Sequence, residues 1–135
     1  MKIAAKNKGL TLVEILVAAI IMVYCLSTLL GFFVNNVTLN ENSRNTAVAA
    51  SHAQFILEDV RNTVYATAVT RLDANYWTYA TPSAISALGL SPLNSESITT
   101  VKSGAAPEIV TVTVTWNDTH TRARSFTVAT RIGGA

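Results

Sequence analysis

The chain has 135 residues, half of them hydrophobic and only 13% charged, with a formal net charge of +2. That length suits one small domain rather than two. The positive balance belongs to the N-terminus, where Lys2, Lys6 and Lys8 stand without an acid, so overall charge implies neither nucleic-acid binding nor an acidic substrate.

Past this basic tail the chain turns apolar. From Leu10 to Val34 the only formally charged residue is Glu14. As a helix that stretch would span roughly 37 Å, more than a hydrocarbon core of about 30 Å. Lysines beside an apolar segment stay on the cytoplasmic side, which sends the C-terminal part outward. A cleaved secretory signal fits poorly, because the apolar core is too long and "NNVTLNENSRN" after it has no small-x-small site. An uncleaved anchor fits the length and leaves Glu14 without a role. An acid at membrane depth costs about 3 kcal/mol on insertion scales and marks a partner or a function. The lone Cys25 lies inside the run, so no disulfide forms within the chain and the expected reading is a buried apolar side chain.

"KGLTLVEILVAA" resembles the type IV prepilin leader: a short basic peptide ending in Gly, an apolar residue, then Glu at the fifth position of what remains. Lys6 and Lys8 match the basic flank. The family most often has Phe where this chain has Leu10, and Leu occurs there too. The resemblance implies cleavage by a prepilin peptidase between Gly9 and Leu10, followed by N-methylation of Leu10. It also implies that Glu14 faces the freed Leu10 amine of a neighbouring subunit and sets the assembly register. A side-chain-free Gly9 lets an active site close on the backbone, and the attraction between acid and amine is weakly screened in hydrocarbon. Two departures from abundant major pilins, no C-terminal cysteine pair and no proline in the apolar helix, leave Gly31 as the flexible point and favour a minor pilin. A type II secretion pseudopilin is the alternative in the same class, and a monomeric signal-anchored binding protein is the alternative outside it. The implied partners are the prepilin peptidase, other pilin or pseudopilin subunits, an inner-membrane assembly platform and membrane lipid. The implied location is the inner membrane, single-pass with the head outside, and then a pilus or periplasmic pseudopilus.

Residues 35–45 are polar, with Asn42 or Asn45 able to cap or kink a helix. From Thr46 the helical pattern resumes, with Ala49, Ala53, Ile56, Val60 and Val64 on one face and Glu58, Asp59 and Arg61 opposite. This block resembles a stretch common among minor pilins and secretion pseudopilins in Ala50, Gln54, Leu57, Glu58 and Arg61. A connection follows, with the aromatics Tyr76, Trp77 and Tyr79 expected to plug a small head and one short helical turn between Pro82 and Pro92. "EIVTVTVTW" and "RSFTVATRI" alternate with period two, joined by the turn residues "NDTHT" as a hairpin, and "ESITTV" reads as a third strand. One sheet face is expected to bury against the helix and the threonine face to meet solvent or a neighbour.

The expected fold is therefore α+β and pilin-like, a long N-terminal helix packed on a small antiparallel β-sheet. Its divisions are a leader over 1–9, a transmembrane and assembly helix over 10–34, an exposed continuation over 35–70 and a head over 71–135. A head of that size needs the helix for much of its core. His52 and His120 have no metal-ligand spacing around them and Asp118 has no serine elbow, so neither catalysis nor a metal or other cofactor is expected. Lys102, Arg122, Arg124 and Arg131 are candidates for a nucleic-acid patch near the hairpin. No aromatic platform is interleaved with them, so solvated arginines are the expected reading.

Overall fold

A computed structural model describes residues 11–104 and 107–133. The elements in chain order are α1 (Leu12–Asn62), α2 (Tyr65–Asp73), α3 (Pro82–Ser86), β1 (Ser97–Ser103), β2 (Glu108–Asn117) and β3 (Ala123–Ile132). The three strands form one antiparallel sheet in the order β1-β2-β3. A long N-terminal helix with a small antiparallel sheet is a pilin-like, α+β layout. The chain divides into two compact units, one up to Asn40 and one from Glu41 onward.

The first unit is the apolar half of α1. Its residues are apolar on every side of the helix rather than along one stripe, the pattern of a helix that has apolar surroundings all round. None of its described residues is buried, and Leu12 and Phe33 are 80% and 69% exposed. The helix is long and apolar enough to cross a membrane. Cys25, expected as a buried side chain, is exposed together with its neighbours along that half of the helix.

The second unit has a core built from helix and sheet together. The rest of α1 contributes Ala49, His52, Ala53, Ile56, Leu57 and Val60, which recur at three- and four-residue spacing and so share one face. Facing them, the sheet supplies Ile98 from β1, Val110, Val112, Val114 and Trp116 from β2, and Ile132 from β3. Burying each large apolar side chain contributes roughly 1.5–3 kcal/mol. The opposite sheet face carries Thr99, Thr111, Thr113, Thr115 and Thr127, as the period-two alternation predicts. Two of its cross-strand pairs join hydroxyls, Ser97 to Thr115 at 2.7 Å and Thr113 to Thr127 at 3.2 Å.

The helix continues through Asn42 and Asn45, where a cap or kink is a sequence expectation. It stops after Asn62, short of the expected residue 70. Val64, at φ −54 and ψ 134, is extended and turns the chain into α2. That turn brings Ala68 and Leu72 into the core, and it leaves Val64 74% exposed although the helical spacing counted it on the buried face. Beyond α2, Asn75 takes a left-handed conformation (φ 55), which an Asn tolerates better than most residues. The short helix between the prolines is α3, capped by the Thr81 hydroxyl on Ala84 N–H.

Candidate functional site

The first turn of α1 carries the one acid of the apolar half. Thr11 precedes the helix, and its hydroxyl and carbonyl accept from the Glu14 N–H at 3.3 and 3.0 Å. Thr at the N-cap with Glu three residues on is the spacing of a capping box, in which the carboxylate can reach back to the cap N–H. A carboxylate in the first turn also sits at the favourable end of the helix dipole. This signal is legible in "TLVE", yet the assembly reading of Glu14 does not use it. Among the described residues no salt bridge to Glu14 forms. The remaining leader residues, Lys6, Lys8, Gly9 and Leu10, lie outside the described residues.

Three polar clusters in the second unit each pin one connection to the core. In the first, His52 of α1 meets Glu96 just before β1, Nδ1 to Oε1 at 2.7 Å, with both side chains buried. The other Glu96 oxygen accepts from the Leu93 N–H at 2.6 Å. One carboxylate thus ties the 91–96 segment to the helix, and burial makes each of those bonds costly to lose. Sequence reasoning finds no metal-ligand spacing around His52 and does not single out Glu96. The two stand 44 positions apart with no local signal linking them.

The second cluster fixes the aromatic connection. Trp77 is fully buried and donates its indole N–H to Asp59 of α1 at 2.6 Å, while its carbonyl accepts from the Thr100 hydroxyl at 2.9 Å. Tyr76 stands edge-on to Trp77 at 5.4 Å and lies under the Arg71 guanidinium, still 55% exposed. Tyr79 packs against the core and bridges β1 through Ile98. The expectation of an aromatic plug holds for Trp77 and Tyr79 but not for Tyr76.

The third cluster is the β2–β3 turn. Asp118 is buried; its Oδ1 accepts from the N–H groups of His120 and Arg122, and its Oδ2 accepts from the Arg122 guanidinium, all at 2.9 Å. Burial opposes ionisation here. The two backbone donors and the Arg122 charge outweigh it and hold the carboxyl at about 2, below the ordinary 3.8. These bonds also hold Thr121 at a positive φ of 58. Arg124 reaches the same carboxylate at 3.4 Å.

The four basic residues considered for nucleic acid do not form one patch. Lys102 pairs with Asp73 at 2.8 Å at the end of the sheet where it stands opposite Val110. Its hydrogen bond to Asp73 raises its pKa above the usual lysine value. Arg122 and Arg124 are at the other end, beside Asp118. From Val110 to Trp116 is about 20 Å along β2 at about 3.4 Å per residue.

His120 lies exposed in the turn, remote in sequence and element from His52. No group of three His, Cys, Asp or Glu among the described residues is arranged to hold a metal ion. The apolar half of α1, headed by Thr11 and Glu14, is a large apolar surface whose residues are exposed throughout. No family model matches the chain, and no curated protein or solved structure is similar to it at a significant level.

Proposed function

We propose that this chain is a filament subunit of the type IV pilin kind, a minor pilin in a pilus or the equivalent subunit of a secretion pseudopilus. The observation that supports the reading is the apolar half of α1, whose described residues are exposed on every side and which bears one acid in its first turn. A prepilin peptidase cuts between Gly9 and Leu10, the Leu10 amine is methylated, and the helix waits in the inner membrane with the head outside. On assembly the helix exchanges lipid for the helices of neighbouring copies, with which it packs by shape. Glu14 meets the Leu10 amine of its neighbour. At about 4 Å and an effective dielectric near 20 that attraction is worth roughly 4 kcal/mol, against a desolvation cost of several kcal/mol for each ion. A subunit in the wrong stagger carries the cost without the attraction, so register is selected.

The cap at Thr11 favours a rival, in which Glu14 only finishes the helix end of a simple membrane anchor. Two substitutions separate the readings. Gln at this position keeps a side chain that can serve a capping box and removes the charge; Ala removes both. The filament reading expects Glu14→Gln and Glu14→Ala alike to lose incorporation into sheared filaments, while the chain remains in the membrane. The anchor reading expects Glu14→Gln to behave as wild type. A mass spectrum of the protein from cells with an active peptidase gives the second check. A product beginning at Leu10 and heavier by one methyl group is expected, and an uncut chain refutes the proposal.

A further inference from the structure

We propose that the outer edge of β3 accepts an extended acidic segment of another polypeptide as a fourth strand of the sheet. The sheet has two edges, and described residues cover only that of β1. At β1, Tyr79 and Ile98 exchange both backbone hydrogen bonds at 2.8 Å, and the Thr78 hydroxyl accepts from Thr100 N–H at 3.5 Å. At β3, no described residue pairs with the outward backbone.

The register fixes which groups are free. Asp118 N–H donates to the Arg122 carbonyl, so that pair is hydrogen-bonded. Alternation along an antiparallel ladder then turns the N–H and C=O of Arg124, Phe126, Val128 and Thr130 toward β2. Those of Ala123, Ser125, Thr127, Ala129 and Arg131 aim away from the sheet. Exposed edges are ordinarily blunted by a bulge, a proline, a short strand or charged side chains. β3 is 10 residues long, contains no proline and keeps an unbroken register with β2, so its arginines are the one such device it carries, and an acidic partner neutralises them.

The surroundings suit a strand. Ser125, Thr127 and Ala129 are small and exposed, so a second backbone can approach. On the other face a groove of about 400 Å³, lined by Gln54, Leu57, Glu58, Arg61 and Val128, is open to alternate side chains of an added strand. Arginines bracket the strand: Arg122 and Arg124 at one end, Arg131 and Arg61 at the other, with Arg61 bonded to the Thr130 hydroxyl at 2.6 Å. Asp118 and Glu58 offset only part of this charge. The occupant that fits is an extended segment with β-branched residues in the middle and an acid at each end. A second copy of β3 would bring its own arginines to the same edge, where like charges repel.

The test uses the full chain in detergent micelles and a fluorescein-labelled peptide of alternating valine and threonine with glutamate at both ends. Saturable binding by anisotropy is expected, and replacing the terminal glutamates by lysine weakens it about tenfold. Ala129→Pro removes an outward N–H and none that β2 uses, so it abolishes binding while Ala129→Val retains it. Arg131→Glu, an exposed change that leaves the backbone donors in place, weakens the glutamate peptide about tenfold and carries the test if the proline variant misfolds. No saturation below ~1 mM, or equal binding by the lysine peptide, overturns the proposal. So does undiminished binding by a folded Ala129→Pro chain. A Thr127→Cys chain in a Cys25→Ala background is expected to stay monomeric on oxidation. Its conversion to a disulfide dimer would make a second copy the occupant and refute the acidic strand.

Discussion

Removing the Glu96 carboxylate tests whether one buried contact holds the 91–96 segment to the helix. Glu96→Ala leaves the His52 Nδ1 and the Leu93 N–H without the partners they have at 2.7 and 2.6 Å. The His52 side chain is 5% exposed, so bulk water does not solvate it in place of the lost partner. An unsatisfied buried polar group costs about 1–3 kcal/mol, and the vacated side-chain volume adds to it, so a loss of about 3 kcal/mol is expected. For a unit of this size that lowers Tm by roughly 12 °C or more. Both tryptophans of the chain, Trp77 and Trp116, are buried in this unit. Their fluorescence therefore reports its melting even with α1 held in a micelle. A double-mutant cycle isolates the contact: His52→Ala, Glu96→Ala and the pair together should give a coupling of about 1–3 kcal/mol. Glu96→Gln is the gentler change, because an imidazole that switches tautomer can accept from the new amide while the amide oxygen serves Leu93. Single effects that add to within about 0.5 kcal/mol would refute the claim that these two side chains depend on each other.

Ala53 is fully buried where α1 faces the sheet, and Ala53→Leu is expected to cost about 1–3 kcal/mol through overpacking, read from the same fluorescence melt. Asp118 has a depressed carboxyl pKa, so its stabilising contribution is present above the unfolded value near 4 and is lost as pH falls through about 2. Melts of wild type and Asp118→Asn should therefore differ most above pH 4 and converge toward pH 2. An unchanged gap across that range would mean that the turn does not depend on the ionised carboxylate.

Much of the fold is legible in the chain because it is written in local patterns. The apolar stretch from Leu10 to Val34, interrupted only by Thr11, Glu14, Ser27, Thr28 and Gly31, dictates a helix without a polar face. Alternation in "EIVTVTVTW" and "RSFTVATRI" dictates two strands with one buried face, and Val112, Val114 and Phe126 lie on that face as expected. The short helical turn beginning at Pro82 and the hairpin around Asp118 follow from turn residues in the same way. Where local signal was weaker than packing, the reading failed. Val64 continues the helical period by spacing, but burial of Ala68 and Leu72 is gained by breaking the helix before it.

The sequence by itself determined the apolar helix, its single acid, the strands and the faces they bury, since each depends on residues only a few positions apart. The tertiary structure alone decided that His52 meets Glu96, that Asp59 holds Trp77, that Arg61 reaches Thr130 across 69 positions and that the outer edge of β3 pairs with no described residue. Such pairings depend on how a helix and a sheet settle against one another, and side-chain volume over the whole core sets that, so no short stretch of the chain encodes it.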